Sequence, residues 1–316
     1  MRELKQIIRN AAKKNGLFEC GFARARRLDD DARRLSSWIA KGRHGAMGYM
    51  ARTADIRPDP SHEAFFPGAK TVFMAAAGYG HPPPPDDSFA AAIARYARGR
   101  DYHGVMRGLM EGIVEEARRR LPDLSARVFV DTAPVMEKPW ARMCGIGWIG
   151  KNSLIVTRSH GSFLVLGGFV TGLELEPDEP AADMCGSCTA CIEACPTGAI
   201  HHDRTIDAGR CISHCTTETS QIDDEKLRNF VAGRSVFGCD ICQQACPFNE
   251  HVPNGIPALR PFDALCGTGL RELAAMDIDK VRLLLKDTAM ERPGPGRILQ
   301  NARCYLGGGG AGGSDS

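Results

Sequence analysis

The chain has 316 residues, 43% hydrophobic and 25% charged, which is the composition of a soluble globular protein with one large domain or two smaller ones. Its 40 basic residues nearly balance 38 acidic ones, and the net charge of +2 excludes a strongly basic nucleic-acid-binding chain, although a local basic face remains compatible with it. No apolar run has membrane-spanning length, and no secretory or twin-arginine signal opens the chain, so we expect a cytoplasmic protein without membrane contact.

The hydrophobic pattern predicts a mixture of helices and strands. In chain order, it predicts a helix over 3–14, a strand over 17–23, a helix over 30–41, a strand over 71–79, a helix over 105–120 and a strand over 127–130. Pro134 is predicted to begin another short helix, and segments 153–157 and 162–171 are predicted to pair as a β-hairpin. Helical patterning returns over 269–276 and 279–286, and the glycine-rich end, 307–316, is expected to be disordered.

Two cysteine runs dominate the second half of the chain. The first has the spacing C-x2-C-x2-C-x3-C-P, formed by Cys185, Cys188, Cys191 and Cys195 followed by Pro196. The second contains Cys239, Cys242 and Cys246 followed by Pro247, and Cys211 lies between the runs. This is the bacterial ferredoxin spacing, in which the cysteine before proline ligates a different cluster from its three predecessors.

Eight thiolates are the number that two [4Fe–4S] clusters need. The crossover rule assigns Cys185, Cys188, Cys191 and Cys246 to one cluster, and Cys195, Cys211, Cys239 and Cys242 to the other. Structural zinc is the alternative, because it also uses C-x2-C pairs, but it has no need of the Cys-Pro crossover. Cys215, four residues after Cys211, is the rival ligand for the second cluster.

The segment from Gly145 to Gly150 matches G-x-G-x-x-G, the dinucleotide-binding fingerprint. That fingerprint must follow a strand and open a helix. Here a helical segment precedes the glycines and a strand-like segment follows them. We therefore interpret the glycines as allowing backbone to approach a large flat ligand.

Asp131 follows a predicted strand, at the end where open α/β sheets bind ligands. As a structural residue it would cap the helix predicted at Pro134. As a functional residue it would be a proton donor, with a pKa raised by burial against an apolar cofactor. The residues alone leave both interpretations open.

A basic and aromatic stretch runs from Arg95 to Arg107. Its Asp101-Tyr102-His103-Gly104 approaches the D-x-H-x-x-G pattern for cobalt ligation by His, but Met106 occupies the position that requires glycine. Its arginines are candidates for phosphate contacts. A solvated helix start is the simpler alternative.

The motifs in combination resemble those of the tRNA epoxyqueuosine reductase family. The resemblance covers about residues 1 to 300 and is carried by Arg57-Pro-Asp59-Pro60, the stretch 95–103, Asp131-Thr-Ala-Pro134, the stretch 145–153 and the cysteine runs ending in Cys246-Pro247-Phe248-Asn249. It implies an α/β (α+β) fold: a cobalamin-binding catalytic domain over 1–176, a ferredoxin-like domain with two [4Fe–4S] clusters over 177–256 and a short helical segment over 257–306. It further implies reduction of the epoxide of epoxyqueuosine at the tRNA wobble position to queuosine.

The same resemblance implies roles for individual residues. Asp131 is similar to the family's proton donor, and it lies with Arg57, Tyr96, Gly150, Ile155 and Leu166 at positions where family members line the corrin. Lys138 and Thr157 fall where they approach the tRNA. Many members carry a C-terminal helical-repeat extension, whereas this sequence ends soon after Leu306.

Two other classes remain alternatives. A reductive dehalogenase would use the same cofactors on a small molecule, but such enzymes typically carry a twin-arginine signal. A ferredoxin-like electron carrier would not need about 180 residues ahead of its clusters. We expect a monomer that receives electrons from a flavodoxin- or ferredoxin-type donor.

Overall fold

The computed structural model describes residues 1–219, 231 and 233–307. Its centre is a four-stranded antiparallel sheet of β1 (Glu19–Arg24), β2 (Thr71–Gly78), β3 (Ala126–Phe129) and β6 (Leu164–Thr171), in the order β1-β2-β6-β3. The fold is therefore α+β. The rule that ligands bind at the carboxyl ends of parallel strands, used above for Asp131, does not apply to this antiparallel sheet.

Helices cover both faces of the sheet, so all eight residues of β2 are buried. Alternate residues of β2 point to opposite sides. Phe73, Ala75 and Ala77 join the cluster formed with α1 (Arg2–Lys14) and α4 (Tyr102–Arg120). Val72 and Met74 join the opposite cluster, which contains Trp140 of α5 (Glu137–Met143). Two further helices, α2 (Asp29–Ala40) and α3 (Gly48–Arg52), precede β2.

The predicted hairpin of segments 153–157 and 162–171 is wrong. The short strand β5 (Ile155–Val156) pairs with β4 (Trp148–Ile149), and only a single bridge joins Thr157 to Gly161. β6 instead enters the central sheet between β2 and β3. Since β6 is a long apolar strand, two neighbouring strands and a helix bury more of its surface than a hairpin partner would.

Two helix boundaries differ from the prediction because of polar turns. Asp101 caps α4, its side chain accepting a hydrogen bond from the His103 N–H at 3.1 Å, so the helix begins at Tyr102. The next helix begins at Glu137 rather than at Pro134. Asp131 has a φ of +47°, and the chain turns through residues 131–136 before helical geometry starts.

The cysteine-rich and C-terminal parts consist of short helices. They are α6 (Ala190–Glu193), α7 (Ile212–Thr217), α8 (Ile241–Gln244), α9 (Asp263–Gly267), α10 (Leu270–Ala275), α11 (Ile278–Leu284) and α12 (Pro295–Gly307). One hydrophobic cluster joins residues 89–97 to residues 236–302, so the C-terminal segment packs on the first half of the chain. Gly307 ends α12, and the rest of the expected tail lies outside the described residues. None of the helices in the described ranges has the length and apolar character needed to cross a membrane.

Candidate active site and cluster-binding thiols

The first group of thiols contains Cys185, Cys188, Cys191 and Cys246. Burial raises the pKa of Cys191, and the charges of the other three members raise it further. The pKa of Cys246 is likewise raised by burial and then by Cys185 and Cys188. These mutual electrostatic effects indicate that the four thiols lie near one another, and their assignment to one cluster stays a prediction.

The second group contains Cys195, Cys211, Cys239 and Cys242. Burial raises the pKa of Cys239 to about 11, with further contributions from Cys211 and Cys195. Burial also raises the pKa of Cys242, and Cys239 and Cys211 add to the shift. Cys215 is buried in α7, where its Sγ lies 3.6 Å from the Gly209 carbonyl oxygen, and Cys211 is the thiol that affects its pKa.

The donor set fits [4Fe–4S] clusters. Within the described ranges, no three His, Cys, Asp or Glu side chains converge closely enough to bind a single metal ion, as structural zinc requires. A cubane instead binds its four thiolates at separate corners. N–H groups also point at the sulfurs: the Trp148 indole lies 3.4 Å from Cys185 Sγ, and the Ala199 backbone lies 3.4 Å from Cys195 Sγ. Such hydrogen bonds are typical of cluster thiolates.

A chain of carboxylates and one imidazole lies beside the second group. His103 Nδ1 lies 2.6 Å from Asp101 Oδ1, and His103 Nε2 lies 3.1 Å from Asp131 Oδ2. The Tyr102 hydroxyl also donates to Asp131. Both ring nitrogens of His103 therefore have carboxylate partners within the protein.

The expected raised pKa of Asp131 is wrong for this structure. Burial acts to raise the pKa of Asp131, but the hydrogen bond from His103 and the charges of His103 and Lys138 lower it below its ordinary value. Burial opposes the charge on His103, yet the hydrogen bonds to Asp101 and Asp131 raise the pKa of His103 to about 9. At neutral pH the proton therefore lies on the imidazole, within hydrogen-bond distance of Asp131.

Glu137 and Lys138 complete the site at the start of α5. The Asp131 N–H donates to Glu137 Oε1 at 2.5 Å, which holds the turn in its left-handed conformation. Both side chains lie in a cleft, where burial and then the charge of Asp131 raise the pKa of Glu137 to about 8. Burial lowers the pKa of Lys138, whose ammonium also interacts with Asp131, Cys242 and Cys211. Lys138 thus interacts electrostatically with both the acid chain and the second thiol group.

His103 and Glu137 were not predicted from the sequence as members of the acid site. The available signals were the D-x-H spacing at the start of α4 and a glutamate six residues after Asp131. Neither spacing reveals that the two segments meet, because α4 and the turn after β3 are brought together only by the tertiary fold.

The structure brings some of the expected corrin-lining residues to the acid chain. The Arg57 guanidinium is buried, donates to Thr53 Oγ1 at 2.8 Å and interacts electrostatically with Asp131 and Glu137. The Tyr96 ring packs against Tyr102, and the charge of Asp131 contributes to its raised pKa. Arg57 and Tyr96 therefore lie around Asp131.

The remaining three expected lining residues lie in a different packing group. Ile155 of β5 is buried in the cluster on the α5 face of the sheet, and Leu166 of β6 packs against that cluster. Gly150 is buried beside them, and a Cβ there would lie 2.7 Å from Asn152 Oδ1. Cβ atoms at Gly145 and Gly147 would meet the Glu179 and Val156 carbonyl oxygens. The missing Cβ atoms thus let these glycines pack closely against protein atoms, and the interpretation that their backbone approaches a flat ligand stays a prediction.

The two expected tRNA contacts differ in accessibility. Lys138 is exposed as a residue, although its ammonium lies in the cleft with Asp131 and Glu137, whereas Thr157 is 2% exposed. The Thr157 hydroxyl donates to the Gly161 carbonyl at 3.3 Å and accepts from the His160 N–H at 3.0 Å. Its side chain therefore closes a turn and does not face solvent.

The basic stretch from Arg95 to Arg107 is not a continuous phosphate-binding face. Arg98 is buried and donates to the Ile93 carbonyl, and the Arg95 guanidinium lies 4.2 Å from the centre of the Phe163 ring. Only Arg100 and Arg107 of these arginines are exposed. A cavity of about 970 Å³ instead places Lys138 near six arginines and five aspartates, which leaves a small excess of positive charge: Arg26, Arg27, Arg33, Arg34, Arg142, Arg204, Asp29, Asp30, Asp31, Asp183 and Asp203.

The arrangement defines a class of protein: an iron–sulfur oxidoreductase with two four-thiol groups beside a proton-holding acid chain. Residues 184–249 match the family described as "4Fe-4S double cluster binding domain", and residues 57–132 match "Epoxyqueuosine reductase QueG, DUF1730". An epoxyqueuosine reductase of Cyclobacterium marinum is 40% identical over 295 residues, covering 90% of this chain and 93% of that relative. The chain belongs to the epoxyqueuosine reductase family.

Solved structures of the family have the same fold. An epoxyqueuosine reductase bound to a tRNA-Tyr stem loop carrying epoxyqueuosine superposes with a TM-score of 0.87 at 28% identity, over 96% of this chain and 81% of that one. The Bacillus subtilis reductase, solved with its catalytic aspartate loop swung out of the active site, gives a TM-score of 0.85 at 26% identity with the same coverage.

Proposed function

We propose that this protein reduces the epoxide of epoxyqueuosine, at the wobble position of a tRNA, to the alkene of queuosine. The observation that carries the proposal is the Asp101–His103–Asp131 chain, which holds a proton and interacts through Lys138 with the second group of cluster thiols. Family membership supplies the substrate class, because a relative of the same fold is known bound to the modified stem loop.

The reaction needs both electrons and protons: removing the epoxide oxygen as water takes two of each. A bound cobalamin would supply a nucleophilic centre able to donate an electron pair, and two clusters held by the thiol groups would supply single electrons. The protein's own part is to hold these groups, position the epoxide and deliver protons to the departing oxygen.

The acid site holds two protons at neutral pH. With a pKa of about 9, His103 is protonated at Nε2, which faces Asp131. With a pKa of about 8, Glu137 is largely neutral and binds the backbone of the same aspartate. We assign Asp131 as the residue that gives the first proton to the oxygen and His103 as the group that supplies that proton to Asp131. Glu137 holds the second.

The cofactors are assigned to the residues named above. The corrin would lie against Arg57, Tyr96, Asp131, Gly150, Ile155 and Leu166, and the two thiol groups would bind the two clusters. The domain division at residues 176 and 256 follows from this assignment. Lys138 and the arginines around the adjacent cavity would contact tRNA phosphates.

The physiological setting completes the proposal. A flavodoxin- or ferredoxin-type donor would reduce the clusters of a monomeric enzyme in the cytoplasm. Cluster absorbance after mixing with each purified donor protein tests which donor reduces the clusters. Light scattering of the holoenzyme tests whether it is a monomer.

Turnover of a defined substrate tests the proposed function. Anaerobically reconstituted protein, supplied with cobalamin and dithionite, should convert epoxyqueuosine to queuosine in an anticodon stem loop, as read by mass spectrometry. A halogenated phenol is the control substrate for the dehalogenase alternative. Loss of halide from the phenol without reduction of the stem loop would overturn the proposal.

A further inference from the structure

Trp148 lies outside the cysteine-rich segment, and its side chain contacts a cluster thiol. It lies on β4, is 3% exposed, and its indole Nε1 lies 3.4 Å from Cys185 Sγ. The indole N–H is a donor only. Since a buried donor without a partner is costly, the sulfur is a required acceptor for this side chain.

The ring is fixed on its other side by the end of the same thiol group. Phe248 packs edge-on against Trp148, with ring centres 4.8 Å apart at 73°, and it follows Cys246 by two residues. The Phe248 N–H in turn bonds the Cys246 thiol. Trp148 therefore spans the first group, from Cys185 to the segment beyond Cys246, and its own position is set by pairing with Val156.

The other thiol group has a different arrangement. Cys195 Sγ accepts from the Ala199 backbone N–H at 3.4 Å and lies 3.6 Å from Thr197 Oγ1. Its N–H donor belongs to the main chain and is present whatever the side chain is. The donor to Cys185 belongs to a tryptophan, so it is a property of this sequence that a single substitution removes.

We infer that Trp148 is a tuning residue: its indole N–H on Cys185 raises the reduction potential of the cluster bound by the first thiol group. The inference rests on the assignment of clusters in the proposed function. Reduction adds one electron to the cluster, and part of its charge falls on the thiolate sulfurs. A hydrogen bond to a sulfur stabilises this more negative state, and such bonds are among the determinants of cluster potential.

The test is an anaerobic redox titration of reconstituted holoenzyme with dithionite, followed by electron paramagnetic resonance. Trp148→Phe keeps an aromatic ring against Phe248 and removes only the N–H donor. We expect the equilibrium constant for one-electron reduction of one cluster to fall about tenfold, equivalent to ~59 mV. Trp38→Phe is the matched control, because its indole donates to the Ile206 carbonyl at 2.6 Å and contacts no thiol. It should leave both potentials unchanged.

Iron content separates failure of this inference from failure of the cluster assignment. About eight irons per wild-type chain with no shift in Trp148→Phe would overturn the role of Trp148 alone, whereas wild-type protein without clusters would overturn the assignment. If Trp148→Phe loses a cluster, its potential cannot be compared with that of the wild type. Pulsed electron paramagnetic resonance of the reduced double variant Trp38→Phe/Trp140→Phe, which keeps only Trp148, then tests whether this indole bonds the cluster thiol. With ¹⁵N-indole label, it should show coupling of the one remaining indole to the cluster, and absence of that coupling contradicts the inference.

Discussion

Replacing His103 by Gln should remove a stabilising charge whose size the structure allows us to work out. His103 has its pKa raised from 6.5 to about 9, which at 1.36 kcal/mol per unit corresponds to ~3.4 kcal/mol. The Asp131 side chain is 54% exposed, and solvent screening reduces this figure to about 1–2 kcal/mol.

The pH dependence follows from the direction of the shifts. A raised histidine pKa contributes stability that is complete below pH 6.5 and is lost as the pH rises through about 9. Asp101 and Asp131, whose pKa values are lowered, contribute stability that is present above 3.8 and lost as the pH falls below it. The difference in stability between wild type and His103→Gln should therefore be largest near pH 6 and vanish by about pH 10.

Urea unfolding at a series of pH values measures this difference. His160→Gln is the control, because burial lowers the pKa of His160, whose Nδ1 partner is the neutral Ser159 hydroxyl. That variant should show no decline between pH 6.5 and 9. A stability difference for His103→Gln that is flat from pH 6 to 10, or a titration of the imidazole below pH 7 by nuclear magnetic resonance, would refute the reasoning.

Three other predictions concern catalysis, clusters and tRNA. Asp131→Asn should fold and bind its cofactors but lose ~10²–10⁴-fold in turnover of the stem loop, because Asn cannot transfer a carboxylic proton; near-normal turnover would remove Asp131 from the mechanism. Cys211→Ala should lower iron content from about eight to about four per chain while Cys215→Ala leaves it unchanged, and the reverse result would exchange the two residues. Lys138→Ala should lessen the slope of log affinity for tRNA against log salt by about one unit, whereas Arg98→Ala should lower thermal stability without changing that slope; equal slopes for Lys138→Ala and wild type would count against a phosphate contact.

Local sequence patterns predicted the features that depend on residues close together in the chain, namely the positions of single helices and strands and the cysteine runs. The period of apolar residues placed β2 and the first helix almost correctly. The cysteine spacing predicted both thiol groups, since a cluster ligand run is a local signal. The pairing of β6 was not accessible in this way, because a strand with apolar residues on both faces does not specify its neighbours.

The position of Asp131 could be predicted from the sequence, but the participation of His103 and Glu137 and the electrostatics of the site could not. Asp131 was identified from its position after a strand, yet the direction of its pKa shift depends on His103, which another element supplies. Arg98 was expected to be a phosphate contact because charge in a sequence does not reveal burial. Its guanidinium is held within the fold by the Ile93 carbonyl.

The packing of the C-terminal segment on the first half of the chain has a consequence for the order of events during protein synthesis. Ile93 forms a parallel β-bridge with Phe237. The N–H of Asp101, the cap of α4, donates to the Asp287 carbonyl at 2.7 Å. That hydrogen bond at the cap of α4 can form only after Asp287, 186 residues later in the chain, has been synthesised, roughly 10–40 s at ordinary elongation rates. The cluster-binding cysteines lie between these two residues, so they leave the ribosome before this contact beside the acid site is made.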